Sequence, residues 1–355
     1  MHTEQKEEAG AMYYTTMEMI AGMYDRYGRQ YAFRAEDVTS FDTWRKRTKE
    51  RLLEILGFEK FVRTEPEAAV LRTERYDGFE KRMMTIRTEP GVTCVFDLFV
   101  PEIMNGTAVI HPHGHGGGRV KTAGTQQEIR DALDGKTEPF FALRMVKRGY
   151  VVACPDTRGA GERREPHAQG DSEQQRRGNS HDELLKLGVC FGIAPIGWMV
   201  WDLMRLGDWL LAQDGIGHLI CAGMSGGGQQ SLYLAALDER IEAVMISGYF
   251  YGFKNALLEQ PENCACNYAP HLYETVDMGD IGAMIAPRPF YIESGRNDPL
   301  NGSRGIENVT EQVAITAGAY ALFGAQDKLI HRIHEGGHVF VAEDVPEFFD
   351  RWRMK

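Results

Sequence analysis

Short apolar runs alternate with helical stripes along most of this chain. "FDTWRKRTKERLLEILG" places Trp44, Leu52, Leu53 and Leu56 among charges, and Gly57 stops it. That pattern predicts helix through about residues 12–57. "AAVLRTERYDG", "KRMMTIRTEP" and "VTCVFDLFVPE" then read as successive strands. Beyond them the rhythm changes. "TAVIHPHG", "YVVACPDTRG", "LICAGMSGG", "IEAVMISGYF", "PRPFYIESG" and "KLIHRIHEGG" are compact apolar runs, each followed by a helical or loop segment. "GWMVWDLMRLGDWLLAQDG" carries Met199, Val200, Leu203, Leu206 and Leu210 on one face, and "VPEFFDRWRMK" closes the chain as a helix. An antiparallel start followed by strand–helix alternation predicts an α/β fold, with a mostly parallel central sheet covered by helices on both faces. Residues 1–60 are expected to form an N-terminal helical extension packed on a main domain spanning 61–355. Two connections, 159–195 and 250–280, are long enough to serve as pocket-forming insertions.

Composition narrows the partners. The 355 residues are 43% hydrophobic and 26% charged, with a formal net charge of −11. No basic stripe of the kind that tracks nucleic acid is present; "GERREPHAQGDSEQQRRG" alternates Arg163, Arg164, Arg176 and Arg177 with acids and reads as a solvated loop. No apolar run is long enough to span a bilayer. The start, "MHTEQKEEAGAMYY", lacks the basic and apolar regions of a secretory signal. Six scattered cysteines, three of them (Cys94, Cys154, Cys221) inside apolar runs, fit a reduced chain. These features predict a cytoplasmic protein with no nucleic-acid or membrane partner.

The chemistry concentrates at "GMSGG", Gly223–Gly227, a G-x-S-x-G between an apolar strand and a helical run. That context makes Ser225 a candidate nucleophile on a tight strand-to-helix turn. The Gly226 N–H then opens the helix, where it can stabilise an oxyanion. A serine needs a histidine base, and the base needs an acid. "ESGRNDPLNG" supplies Asp298 and "HEGGHVF" supplies His338, each just past a predicted strand. Glu293 and His334 compete for these roles, but both still lie on their strands.

These pieces resemble the α/β-hydrolase superfamily, and within it the acetyl xylan esterase-like and dienelactone hydrolase-like serine esterases. The likeness runs from about residue 40 onward. "HGHGG", "PDTRGAGE", "WDLMRLGDWL", "GMSGGG", "DIGAMIAPRPFYIESGRNDPL" and "GGH" carry it. The resemblance implies the α/β-hydrolase fold and a triad of Ser225, Asp298 and His338. It also implies an oxyanion hole from Gly226 with the loop after "HG", that is His115 or Gly116, with Gly117 as a further option. It further implies hydrolysis of carboxylic esters on a small molecule such as an acetylated oligosaccharide, without a cofactor. Peptidases and lactone hydrolases share the fold. The chain lacks the Cys-Ser-Arg of glucuronoyl esterases and has serine where dienelactone hydrolase has cysteine. His113, Arg158, Trp198, Tyr249 and Tyr268 are candidate pocket residues.

"HPHGHGGGR" permits a competing reading, in which His111, His113 and His115 share one strand face and bind a metal. The glycines that follow argue instead for a turn presenting backbone N–H groups, and no G-x-x-x-x-G-K-[ST] or G-x-G-x-x-G is present. "NCACNYAPHLYE" offers Cys264, Cys266 and His271, with no clear fourth ligand. It reads as a loop packed on the pocket, and no metal site is expected.

Overall fold

A computed structural model describes residues 14–170 and 172–353. Nine strands form one sheet: β1 (Ala69–Tyr76), β2 (Phe79–Glu89), β3 (Val92–Pro101), β4 (Thr107–Ile110), β5 (Val151–Pro155), β6 (His218–Met224), β7 (Ile241–Ser247), β8 (Phe290–Gly295) and β9 (Leu329–His334). Their order is β1-β2-β3-β5-β4-β6-β7-β8-β9. The first three pair antiparallel, β3 pairs antiparallel with β5, and β5 through β9 run parallel. The expected α/β-hydrolase architecture is therefore the observed one.

The parallel strands β4 to β8 are short and largely apolar because both of their faces are covered. Ala108 and Ile110 join one core with Val151, Ala153, Leu219, Cys221, Val244 and Ile246. Val109, Val152, Cys154, Ile220, Ala222 and Met245 join the core on the opposite face. Consecutive residues of a strand point to opposite faces, so a run with two apolar faces needs helices on both. Helices Pro195–Leu211 and Gly226–Leu237 cover the first face; Phe141–Val146 and Val345–Trp352 cover the second.

The N-terminal segment departs from a single helical stretch. It forms helices Met17–Tyr27 and Val38–Ile55 with a bend between them. Backbone N–H groups of Arg29, Gln30 and Tyr31 donate to the carbonyls of Tyr273, Glu274 and Thr275. Arg29, at φ 54°, turns there and grips buried Asp280 with two hydrogen bonds of 2.8 and 2.9 Å. Long-range pairing has overridden local helix propensity. Asp37 then starts the second helix with a capping box to Ser40. Residues 1–13 of the expected extension, and 354–355 of the closing helix, lie outside the described residues.

Chain order around β4 sets the place for a site. The chain goes from β4 outward to β5, then returns to β6 on the other side. The carboxyl ends of β4 and β6 therefore lie together at a switch point, where open α/β sheets leave a crevice. Buried ion pairs anchor the loops around it. Arg158 donates to Asp202 at 2.6 and 3.0 Å and to Glu89 at 2.9 Å, and Arg163 reaches Asp202 at 2.8 Å. Burial alone would raise the Asp202 carboxyl; the Arg158 and Arg163 charges outweigh it and hold the group at about 2, against an ordinary 3.8.

Asp202→Ala takes its carboxylate from Arg163 and leaves buried Arg158 with Glu89 alone, and its expected cost is about 3–5 kcal/mol in urea denaturation. The native carboxyl binds its proton less tightly than the unfolded one. Its contribution is therefore complete above about pH 4 and disappears as pH falls toward 2. A loss under 1 kcal/mol, or no loss of the acid-side slope in the variant, would contradict this assignment.

Candidate active site

Ser225 sits between β6 and the helix Gly226–Leu237 with φ 56° and ψ −123°. A non-glycine residue in such a conformation costs on the order of 1–3 kcal/mol and persists only where neighbours enforce it. The Ser225 N–H donates to Ser247 O at 2.8 Å, and its carbonyl accepts from Gln229 N at 2.9 Å. The flanking glycines are required by contact. A β-carbon on Gly223 would lie 2.3 Å from Gly227 C and O, and one on Gly227 would lie 2.2 Å from Pro112 O. The turn is thus built against the backbone that leaves β4.

Asp298 and His338 meet where the sequence expects them to. Asp298 lies three residues past β8, and its carboxylate accepts from Leu300 N at 2.9 Å and from His338 Nδ1 at 2.7 Å. With Nδ1 donating to the acid, the lone pair of the imidazole is on Nε2. The ring rests on Gly248, which adopts φ +60°; a β-carbon there would approach His338 Cε1 to 3.0 Å. Gly336 and Gly337 cross the end of β8, where a β-carbon on Gly295 would meet Gly337 O at 2.1 Å.

The competing residues have other partners. Buried Glu293 accepts from Ser247 Oγ and from the backbone N–H groups of Val341 and Ala342, at 2.7–3.0 Å. It holds the far side of the His338 loop. His334 Nδ1 accepts from Gly336 N.

The three histidines of "HPHGHGGGR" diverge. Pro112 has no N–H, and β4 ends at Ile110, before the histidines begin. His111 Nδ1 donates to Ala222 O at 2.7 Å. His113 is buried, accepting from Thr157 N at 3.1 Å through Nε2 and donating to Gly114 O through Nδ1. His115 Nε2 faces Cys266 Sγ at 3.1 Å. No common centre joins them. The turn's far end is fixed by Arg119, whose guanidinium and N–H both bind Asp156. Gly118, at φ +67°, could not carry a β-carbon, because Asp156 Oδ1 lies 2.6 Å from that position.

Ser225 and His338 open into one cavity of about 310 Å³. Gly114, His115 and Gly116 form one side, with Lys121, Phe140 and Phe340 around the rest. A β-carbon at Gly114 would sit 3.3 Å from Ser225 Cβ, so this backbone lies directly against the serine. Gly117 turns toward Lys121 and does not line the cavity.

The five residues expected on the pocket walls lie elsewhere. His113 is buried behind the loop it tethers. Arg158 is committed to Asp202 and Glu89, and Trp198 lies beside it, with the guanidinium carbon 5.7 Å from the ring centre. Tyr249 packs under the elbow, its hydroxyl donating to Asn267; Tyr268 donates to Leu257 O. Phe140 and Phe340 take the wall instead. Neither had a motif to mark it, since position around a crevice is set by the fold.

The cysteine loop is also corrected. His271 is exposed and bonds Glu274, while His115 and His181 approach the thiols. The ligand-type atoms of His115, His181, Cys264 and Cys266 all lie within 4.8 Å of one another, the one such mixed cluster among the described residues. Hydrogen bonds from Cys266 and then the two imidazoles, acting against burial, hold the Cys264 thiol far below its ordinary range.

Over residues 2–311 the sequence matches the Abhydrolase family. The chain belongs to this family. It is 25% identical over 257 residues to "Putative hydrolase YtaP" of Bacillus subtilis (strain 168), covering 69% of this chain and 78% of that one. Among solved structures, "a putative acetyl xylan esterase" of Bacteroides fragilis NCTC 9343 superposes with a TM-score of 0.73 at 19% identity, over 97% of this chain and 91% of that one. A glucuronoyl esterase from Solibacter usitatus gives 0.63 at 14%, over 98% and 100%. This Abhydrolase-family chain is thus a hydrolase of the α/β-hydrolase fold with esterases as structural neighbours. Among its described residues, no helix is long and apolar enough to cross a membrane.

Burial pushes the His111 imidazole down from 6.5 to about 4. A native pKa below the unfolded one makes its stabilising contribution complete above about pH 6.5. That contribution is lost as pH falls through 4, on the order of 3 kcal/mol at full titration. Melting temperature should therefore fall between pH 6.5 and 4, and His111→Gln should flatten that fall. An unchanged slope in the variant would show that the ring reaches solvent.

Proposed function

We propose that this chain is a serine carboxylic-ester hydrolase acting through an acyl-enzyme, with acetylated sugars or oligosaccharides as its substrates. One observation carries the reading: a serine on a strained elbow shares a small cavity with a histidine whose Nδ1 is bound to a buried aspartate. That arrangement supports Ser225 as nucleophile, His338 as base and Asp298 as the group that fixes the base's tautomer and stabilises its imidazolium.

In the proposed cycle Ser225 Oγ attacks the ester carbonyl while His338 Nε2 takes its proton. The carbonyl oxygen becomes an oxyanion beside the first N–H of the helix at Gly226, which has no carbonyl one turn earlier to bond. The 114–116 backbone against Ser225 supplies the second donor, from His115 or Gly116. His338 then protonates the leaving alcohol, and water activated by the same imidazole releases the acid. Each donor is worth about 3 kcal/mol of barrier. The acetyl preference is supported by the limited cavity and by the solved neighbour described as an acetyl xylan esterase. Phe140 and Phe340 make one wall apolar, and Lys121 adds a hydrogen-bond donor suited to a hydroxylated alcohol.

Ser225→Ala should lower kcat for p-nitrophenyl acetate by about 10⁴-fold or more with the melting temperature little changed. A fluorophosphonate should label the wild type at Ser225 and leave the variant unlabelled. Wild-type turnover in Ser225→Ala would end the proposal. Asp298→Asn should cost about 10⁴-fold in kcat through the wrong imidazole tautomer.

Across a panel of esters, kcat/KM should be highest for acetylated xylo-oligosaccharides, lower for longer acyl chains and lowest for aminoacyl amides. A preference for the amides would place the chain among peptidases of the same fold.

A further inference from the structure

Behind the elbow, three loops that leave the carboxyl edge of the sheet bring soft ligands together. His115 comes from the loop after β4, His181 from the long connection after β5, and Cys264 and Cys266 from the connection after β7. His181 Nδ1 lies 3.0 Å from Cys264 Sγ and His115 Nε2 lies 3.1 Å from Cys266 Sγ. Cys266 and His181 are buried, Cys264 is half-buried, and His115 closes the group from the cavity side.

We propose that His115, His181, Cys264 and Cys266 bind one zinc ion as a closed tetrahedral site that clamps these three loops together. Zinc–sulfur bonds of about 2.3 Å and zinc–nitrogen bonds of about 2.0–2.1 Å put tetrahedral ligand atoms roughly 3.3–3.8 Å apart. The observed contacts begin at 3.0 Å, and no pair of the four atoms exceeds 4.8 Å. Shifts of about 1 Å or less, outward for the shortest pairs and inward for the longest, would complete the shell. Two thiolates with two imidazoles select zinc over magnesium and calcium, which require oxygen ligands. All four positions are filled by protein, so the ion has no open site for a substrate and acts structurally.

Supports around the ligands favour a preformed site. The C-x-C segment is a tight turn, with Asn267 N and Nδ2 both donating to Cys264 O at 3.0 Å. Gln229, on the elbow helix, donates through Nε2 to Cys266 O at 3.0 Å and accepts through Oε1 from the Cys266 thiol at 3.2 Å, a proton that zinc binding would release. Asn179 Oδ1 accepts from His181 N at 3.0 Å. A β-carbon on Gly226 would touch the His115 ring at 2.9 Å, so the imidazole lies against the start of that helix. Resting on the function proposed above, an ion held by His115 would also fix the backbone beside Ser225, making His115 a positioning residue.

The direct test is the zinc content of the full-length protein, purified without chelator and measured by mass spectrometry. About one zinc per chain is expected. Cys190→Ser, at the exposed far end of the helix that His181 begins, should keep it, and the double variant Cys264→Ser, Cys266→Ser should lose it. If the double variant does not fold, wild type stripped with dipicolinate gives the same information. Its melting temperature should drop on stripping, recover with zinc sulfate and not with magnesium. Its kcat on an acetyl ester should fall with KM held, and return with zinc. A folded wild type that neither carries nor takes up zinc overturns the site, whether its thiols are free or joined as a Cys264–Cys266 disulfide. Zinc content is read without turnover, so this result stands apart from the fate of the esterase reading.

Discussion

A bare backbone contact governs this structure. The turn after β6 and the segment leaving β4 approach so closely that no side chain fits between them. Gly227 faces Pro112 O, Gly114 faces Met224 O and Ser225 Cβ, and Gly223 faces Gly227 itself. Such contact is open only to glycine. It holds Ser225 in its strained conformation and sets the 114–116 backbone directly against the serine. Neither loop could hold that geometry alone.

The strain at Ser225 is sustained by structure on all sides. Ser247 O, at the end of β7, receives the serine's N–H, while Glu293 on β8 receives the Ser247 hydroxyl and two N–H groups of the chain just after His338. One buried carboxylate thereby links the strand beneath the elbow to the loop carrying the histidine. On the other flank Asp156 binds Arg119, and Asp202 binds Arg158 and Arg163. Buried pairs of this kind are weak sources of net stability, but breaking one is expensive. Their role here is to give long loops a single arrangement.

The loops after β4, β5 and β7 serve both sides of this edge. Toward solvent, the β4 loop forms part of the cavity beside Ser225; toward the interior, its histidines tie it to three different partners. His115 belongs to both sides. Its backbone borders the cavity and its ring meets the cysteine turn, so any group bound by that ring constrains the cavity wall.

The strand runs, the G-x-S-x-G turn and the Asp298 and His338 positions were legible in the chain because each depends on local pattern. Short continuous apolar runs reveal strands buried on both faces, and glycines flanking a serine between a strand and a helix reveal a tight turn. The bend at residues 28–37, the cavity walls and the cysteine cluster were not legible. Arg29 pairs with Asp280, His115 with Cys266 and His181 with Cys264, across separations of 251, 151 and 83 residues. Tyr249 and Tyr268 had the chemistry of pocket residues but were taken up by Asn267 and Leu257, while Phe140 and Phe340, unmarked by any motif, line the cavity. Local sequence determines which backbone shapes are affordable at each position. Which side chains meet is decided when distant loops close over the sheet edge, because those contacts form between residues that share no local pattern.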